Sequence, residues 1–169
     1  MKQFKTLLIA VALILGATSF ANAQTKVAHI ATQELIEQMP SYKAAMNQLE
    51  KLQKTYDTEI KDMVTEAQNT MKRYEAEAQT KTDEENQKRA TELQQTQRTI
   101  GEYRQNAMQQ LQQKEMELLK PVLEKARTTI QKVARAKGYD YVLDSTTGTG
   151  VIMADGYDLM PDVKKDLGI

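Results

Sequence analysis

Residues 41–120 contain no proline and a single glycine, Gly101, in a stretch dense with Gln, Glu, Lys, Ala and Met. Such a composition forms helix, and so long a helical stretch cannot be folded away inside a small globule. In its first half Tyr42, Met46, Leu49, Leu52, Tyr56, Ile60, Met63, Ala67, Met71, Tyr74 and Ala78 recur at steps of three or four, with charges between them. That spacing puts one apolar stripe along a helix. The second half reads Leu93, Gln97, Ile100, Arg104, Ala107, Leu111, Lys114 and Leu118, alternating steps of four and three, and three of the eight positions are polar. This is coiled-coil spacing with a thin seam, suited to arms that bend or splay.

The two halves part near residues 80–83. Thr82 with Glu85 three residues on makes a capping box, and Asp83, Glu84 and Glu85 suit the positive end of a helix. Ser41 can cap the first helix, so each arm has about 38 or 39 residues and spans about 58 Å. Equal arms joined by a short turn predict an antiparallel helical hairpin. Pro121 lies within a pattern that continues through Val122, Leu123, Ala126, Ile130 and Val133, which predicts a bend there rather than a stop, with Gly138 ending the helix.

The flanks follow a different period. Residues 26–30, 139–143 and 151–154 are short and rich in β-formers and predict three strands. The last two, joined by a turn-rich stretch over 145–150, predict a β-hairpin, and Pro161 suits the start of a short helix over 160–167. The chain therefore reads as α+β: a long antiparallel helical hairpin over 41–120 inserted between the two parts, 24–40 and 121–169, of a small β-rich oligomerisation body. A body with 17 residues before the hairpin and 49 after it buries little surface. Self-association through the sheets is the expected remedy, with Val27, Ile30, Tyr141, Val142, Leu143, Val151 and Met153 as the contact residues.

Residues 1–23 predict a cleavable secretory signal peptide. Lys2 and Lys5 precede an unbroken apolar run over 7–15, and Ala21, Asn22 and Ala23 offer a cleavage site. The apolar run is too short for a membrane span, and without cysteine there is no lipid attachment point. A mature chain beginning at Gln24 carries 21 positive and 23 negative side chains, a net charge of −2. Nothing in that balance attracts nucleic acid globally.

Little chemistry is available to such a chain. With no cysteine, disulfides, thiolate metal sites and cysteine nucleophiles are excluded. His29 is the only imidazole and falls in a predicted strand, where a structural role fits better than a catalytic one. The glycine-rich stretch over 147–150 lacks the lysine of a phosphate loop, and the acidic residues around Asp155 lack the order of a calcium loop. The reading is of a non-enzyme with no cofactor and no metal. Lys72, Arg73, Lys81, Lys88 and Arg89 gather near the hairpin tip, diluted by acidic neighbours; a solvated tip is the simpler reading and weak contact with membrane lipid headgroups the sharper one. Methionines along the arms serve as seam filler, or as an adaptable surface for unlike apolar partners.

Three segments carry a family resemblance: KVAHIATQELIEQMP over 26–40, LKPVLEKARTTIQKVA over 119–134, and GYDYVLD over 138–144. The chain resembles the Skp (OmpH) family of periplasmic chaperones that hold outer-membrane proteins, most specifically over the second and third of these. The resemblance implies a homotrimer in the periplasm, with three helical tentacles around a cavity that holds an unfolded β-barrel precursor, and it implies neither ATP nor a cofactor. Under that reading Tyr56, Met63, Met71, Tyr74, Tyr103 and Met108 are the candidate client contacts. Well-known members are strongly basic, whereas this chain is near neutral, so electrostatic capture should matter less here, and no lipopolysaccharide site carries over. The alternative from another class is a structural coiled-coil spacer of the cell envelope.

Overall fold

The computed structural model describes residues 25–169, so the predicted signal peptide lies outside the described residues. Strand β1 (Val27–Ile30) leads into a short helix α1 (Thr32–Gln38) and then α2 (Pro40–Glu77). A single 3-10 turn (Ala78–Thr80) precedes α3 (Asp83–Ala136), and β2 (Tyr141–Asp144), β3 (Tyr157–Asp158) and α4 (Met160–Leu167) complete the chain. Helix α2 and the first part of α3 form the expected antiparallel hairpin, in a fold that is mostly helical with one small sheet.

The hairpin turn is built as its sequence dictates. The Thr82 hydroxyl accepts from the Glu85 amide at 3.2 Å while the Glu85 carboxylate accepts from the Thr82 amide at 3.0 Å, closing a capping box under three acidic first-turn residues. The backbone hydrogen bond from Thr82 and the nearby Lys81 ammonium hold the Glu85 carboxyl below its ordinary range. Helix α2 starts two residues earlier than a Ser41 cap implies: Pro40 occupies its first turn and Met39 is the N-cap. Pro121 lies inside α3, which runs through it for 54 residues and ends before Gly138, whose φ of 74° is open to glycine at little cost.

The sheet departs from expectation. Its order is β2-β1-β3, and both pairings with β1 are parallel, Val27 opposite Tyr141 and Ala28 opposite Tyr157. Residues 151–155 form no strand, so the predicted hairpin between 139–143 and 151–154 is not made. The chain after β2 instead turns through Gly148 and Gly150, both at positive φ, and crosses to the other edge of β1. This arrangement gives β1 a ladder partner on each side, as a strand beneath packed helices requires. The whole helical hairpin is therefore the crossover of a βαβ unit.

The core sits where α1, the root of α2, the last turns of α3 and α4 close over one face of the sheet. Ala28, Ile30, Leu35, Met39, Val122, Ala126, Ile130, Val133, Leu159 and Val163 are buried together. Each fully buried branched side chain among them contributes about 1.5–3 kcal/mol. The arms have far less: of their residues only Ala45, Ile100 and Ala107 are buried. Gly101 adds to the deficit, since glycine inside a helix costs about 1 kcal/mol relative to alanine.

One polar clasp fastens the two ends of the excursion. The Asp144 carboxylate, at the end of β2, accepts from the Thr32 hydroxyl at 2.6 Å and amide at 3.2 Å, and from the Thr146 hydroxyl at 2.6 Å and amide at 2.9 Å. Partial burial pushes this carboxyl up, but the hydrogen bonds from Thr146 and Thr32 outweigh it and bring it down to about 2. The unfolded carboxyl titrates near 3.9, so this stabilisation is complete above about pH 4 and lost as pH falls toward 2. Asp144→Asn should lower stability by about 1–2 kcal/mol at neutral pH and flatten that acid limb, measured by urea unfolding across pH 2–7.

Candidate functional site

The arms carry the surface with most to explain. Along their inner seam Leu49, Leu52, Tyr56, Ile60, Met63 and Ala67 of α2 are half-buried against Leu93, Thr96, Ile100, Tyr103, Ala107 and Leu111 of α3. This corrects two positions of the expected seam in the second arm: Gln97 and Arg104 are exposed, and Thr96 and Tyr103 turn inward in their place. Successive helix positions lie about 100° apart, so at each of these two points a polar side chain gives way to its neighbour, while Leu93, Ile100, Ala107 and Leu111 keep their expected places. Lys114 stays half-buried and pairs with Glu117 at 3.0 Å.

The candidate client residues fall into two groups. Tyr56 and Tyr103 meet edge to face between the arms, with centroids 6.2 Å apart, and the Tyr103 hydroxyl donates to Glu59, which pushes the phenol up to about 12. Tyr74 donates to Glu92 at 2.9 Å, its ring beneath the Arg89 guanidinium at 4.5 Å and near that of Arg73 at 5.4 Å. These three tyrosines, with half-buried Met63, join one arm to the other. Met71 and Met108 point outward, at 40% and 59% exposure, and so do two residues absent from the expected set, Met46 and Met116. Their repeated occurrence among charged residues was the signal for them.

Two of the five basic residues near the tip are paired with carboxylates. Arg89 pairs with Glu77 at 2.6 Å, Lys81 lies 3.8 Å from Glu85, and the Asn86 amide donates to the Ala78 carbonyl at 2.9 Å. Arg89 Nη1 is buried without a hydrogen-bond partner, and the face of the Tyr74 ring supplies its compensation.

At the other end, the sheet exposes one face. Val27, Tyr141 and Leu143 are exposed there, as are Ile152 and Met153 on the connection that follows β2; Val151 is half-buried. Two expected contact residues lie elsewhere. Ile30 is 0% exposed within the core of its own chain, and Val142 packs against that core, because alternate strand residues point to opposite faces and these two share the helix-covered one. His29 is structural: its Nε2 donates to the Gly156 carbonyl at 3.2 Å and its Nδ1 lies 3.2 Å from the Ser145 hydroxyl, pinning both ends of the connection between β2 and β3. Lys137 donates to the Tyr157 hydroxyl and pairs with Asp162, which raises the ammonium and lowers the carboxyl.

Among the described residues no group of His, Asp and Glu side chains is arranged to hold a metal ion, and no helix is long and apolar enough to cross a membrane. What the geometry offers is apolar and adaptable contact along a lean arm, rather than a reacting centre.

The profile of the family described as outer membrane protein (OmpH-like) matches residues 26–167, from the first strand to the last helix. The chain belongs to the OmpH-like family. It is 27% identical over 131 residues to the chaperone protein Skp of Photorhabdus luminescens, covering 78% of this chain and 79% of that one. The chaperone protein Skp of Photorhabdus laumondii is likewise 27% identical, over 125 residues, covering 74% and 76% of the two chains. The crystal structure of an OmpH-like protein of Caulobacter crescentus superposes with a TM-score of 0.76 at 20% identity, over 87% of this chain and 86% of that one. The hairpin on a small sheet is thus a shared architecture.

The tip contacts generate a local prediction. Arg89→Ala removes the ion pair and the ring contact together, so hydrogen exchange should accelerate over residues 74–92 by about tenfold while the body amides keep their protection.

Proposed function

We propose that this protein is an ATP-independent periplasmic holdase that binds unfolded outer-membrane protein precursors between its helical arms until they insert into the membrane. The observation that carries the reading is the arm itself: α2 extends about 57 Å, and Met46 and Met71 on it, with Met108 and Met116 on α3, are exposed beside a seam with almost no core. Flexible thioether side chains spread over a surface fit many unlike apolar sequences without fitting any one tightly. Membership of the OmpH-like family, and similarity to two proteins named chaperone Skp, support the same reading. Residues 1–23 would deliver the chain to the periplasm as a cleaved signal peptide.

Holding a whole precursor with weak contacts requires several arms. In this reading three copies join through the exposed sheet face, with Val27, Tyr141 and Leu143 and the Val151 to Met153 stretch between them, and their arms enclose the client. Contacts that each release quickly then sum to firm retention, because every arm already bound raises the effective concentration of the next. No nucleotide step is needed: a binder of unfolded chains keeps them from aggregating, and the folded barrel, burying its own apolar surface, no longer competes for the arms. The work is binding, so the protein is read as a non-enzyme without a cofactor.

Dilution of a urea-unfolded porin into buffer tests this directly. Light scattering should fall steeply with the protein in molar excess, and unchanged scattering would favour an envelope spacer. The assembly is tested separately. Leu143→Asp, at an exposed position, should give folded chains that sediment as monomers, whereas Val142→Asp buries a charge against the core and should unfold the body. An intact trimer for Leu143→Asp would remove this face from the interface.

A further inference from the structure

One flank of the arm holds an open groove of about 410 Å³, lined from α2 by Met71 and Gln68 among others and from α3 by Leu93, Ile100, Gly101 and Arg104. Three observations bear on what it accommodates. First, the fold does not call for glycine at 101: the residue is helical, and an added Cβ would meet nothing within 4 Å. A side chain there would strengthen the helix and would stand in the groove, so the glycine keeps the space open. Second, the room is generous. An apolar cavity of about 150 Å³ suffices to admit benzene, so this groove accepts a ring-sized side chain with its flanking backbone. Third, Arg104 is exposed and makes no ion pair among the described residues, leaving a guanidinium beside apolar side chains.

We propose that this groove is a discrete client subsite, which takes a bulky apolar side chain of an unfolded polypeptide while Arg104 pairs with a carboxylate nearby in the same segment. The proposal rests on the holdase reading above and adds to it a place and a preferred chemistry. Charge complementarity selects the occupant: an extended chain carrying an acidic residue next to an aromatic or branched one satisfies both the apolar lining and Arg104. The same residues explain why a helix already short of core retains a glycine at mid-length. Clients poor in such pairs bind through the scattered methionines alone.

The test is anisotropy titration of a fluorescently labelled, urea-unfolded porin with the full-length protein and its variants. Gly101→Leu fills the groove and should weaken binding by about tenfold, the loss of one buried apolar side chain, while thermal unfolding is unchanged or rises. Gly101→Ala should bind within about twofold of the parent, and Arg104→Gln should weaken binding and reduce its salt dependence. Binding by Gly101→Leu equal to that of the parent would overturn the subsite and leave the holdase reading standing, whereas a parent that fails to bind overturns both. Sedimentation identifies the other occupant: a changed oligomer mass in Gly101→Leu with unchanged porin binding would assign the groove to a second copy of the chain and overturn the proposal. Should Gly101→Leu misfold, Gly101→Gln, a helix-favouring side chain at the same open position, gives the same readouts with the same expected loss.

Discussion

The parallel pairing of β1 with β2 is the constraint on which the molecule depends. These strands are separated by the entire helical excursion, yet Val27 through Ile30 lie in register with Tyr141 through Asp144. The chain leaves β1 at Ile30 and must re-enter at Tyr141, beside Val27 at the opposite end, so α3 with 54 residues outruns α2 with 38 and its excess length carries the chain back along the sheet. The cost of closing so long a loop rises only slowly with its length, and helix removes most of the loop's freedom locally. Asp144 secures the junction by gathering donors from both sides of the excursion, Thr32 before it and Thr146 after it. Without that closure the arms would have no fixed root, and α4, which packs across α3, would have no floor to cover.

From this root the molecule grades outward from dense to lean. The body encloses a continuous apolar core, while the arm relies on a one-residue-wide seam, tyrosine contacts and exposed ion pairs such as Lys54 with Glu50. Exposed pairs of this kind contribute little each. Local opening is accordingly easiest along the arm, where apolar surface is also most accessible. Side chains there, not committed to a core, are free to repack.

Much of this was legible in the sequence because the signals are local. The Thr82 and Glu85 capping box, the glycine after α3 and the unbroken helical period on either side of Pro121 each act within a few residues, and each appears as expected. The strand pairing did not, because period-two alternation marks a strand without naming its partner. Residues 151–154 have the composition of a strand, but they leave the outer edge of β2 unpaired, and the chain carries Tyr157 and Asp158 to β1 instead. Ile30 illustrates the same limit, since its inward face follows from the helices that cover it rather than from its neighbours in sequence. In the second arm the apolar positions were right and two polar ones were not: Tyr103, with a hydroxyl to satisfy and a ring to bury, took the inner position over Arg104 by meeting Tyr56 and Glu59.

The two helices of the arm are rooted unequally. Helix α2 begins afresh at Pro40, behind an extended Met39, whereas α3 is one rod from the tip into the core. A sideways load on the tip therefore cannot be relieved by swivelling at a loop. It must flex α3, and the only place along that rod where a backbone hydrogen bond is missing by covalent necessity is Pro121, at the threshold of the body. The arm behaves as a leaf spring clamped at its base, so deflecting its tip stores elastic energy that is returned when the load departs.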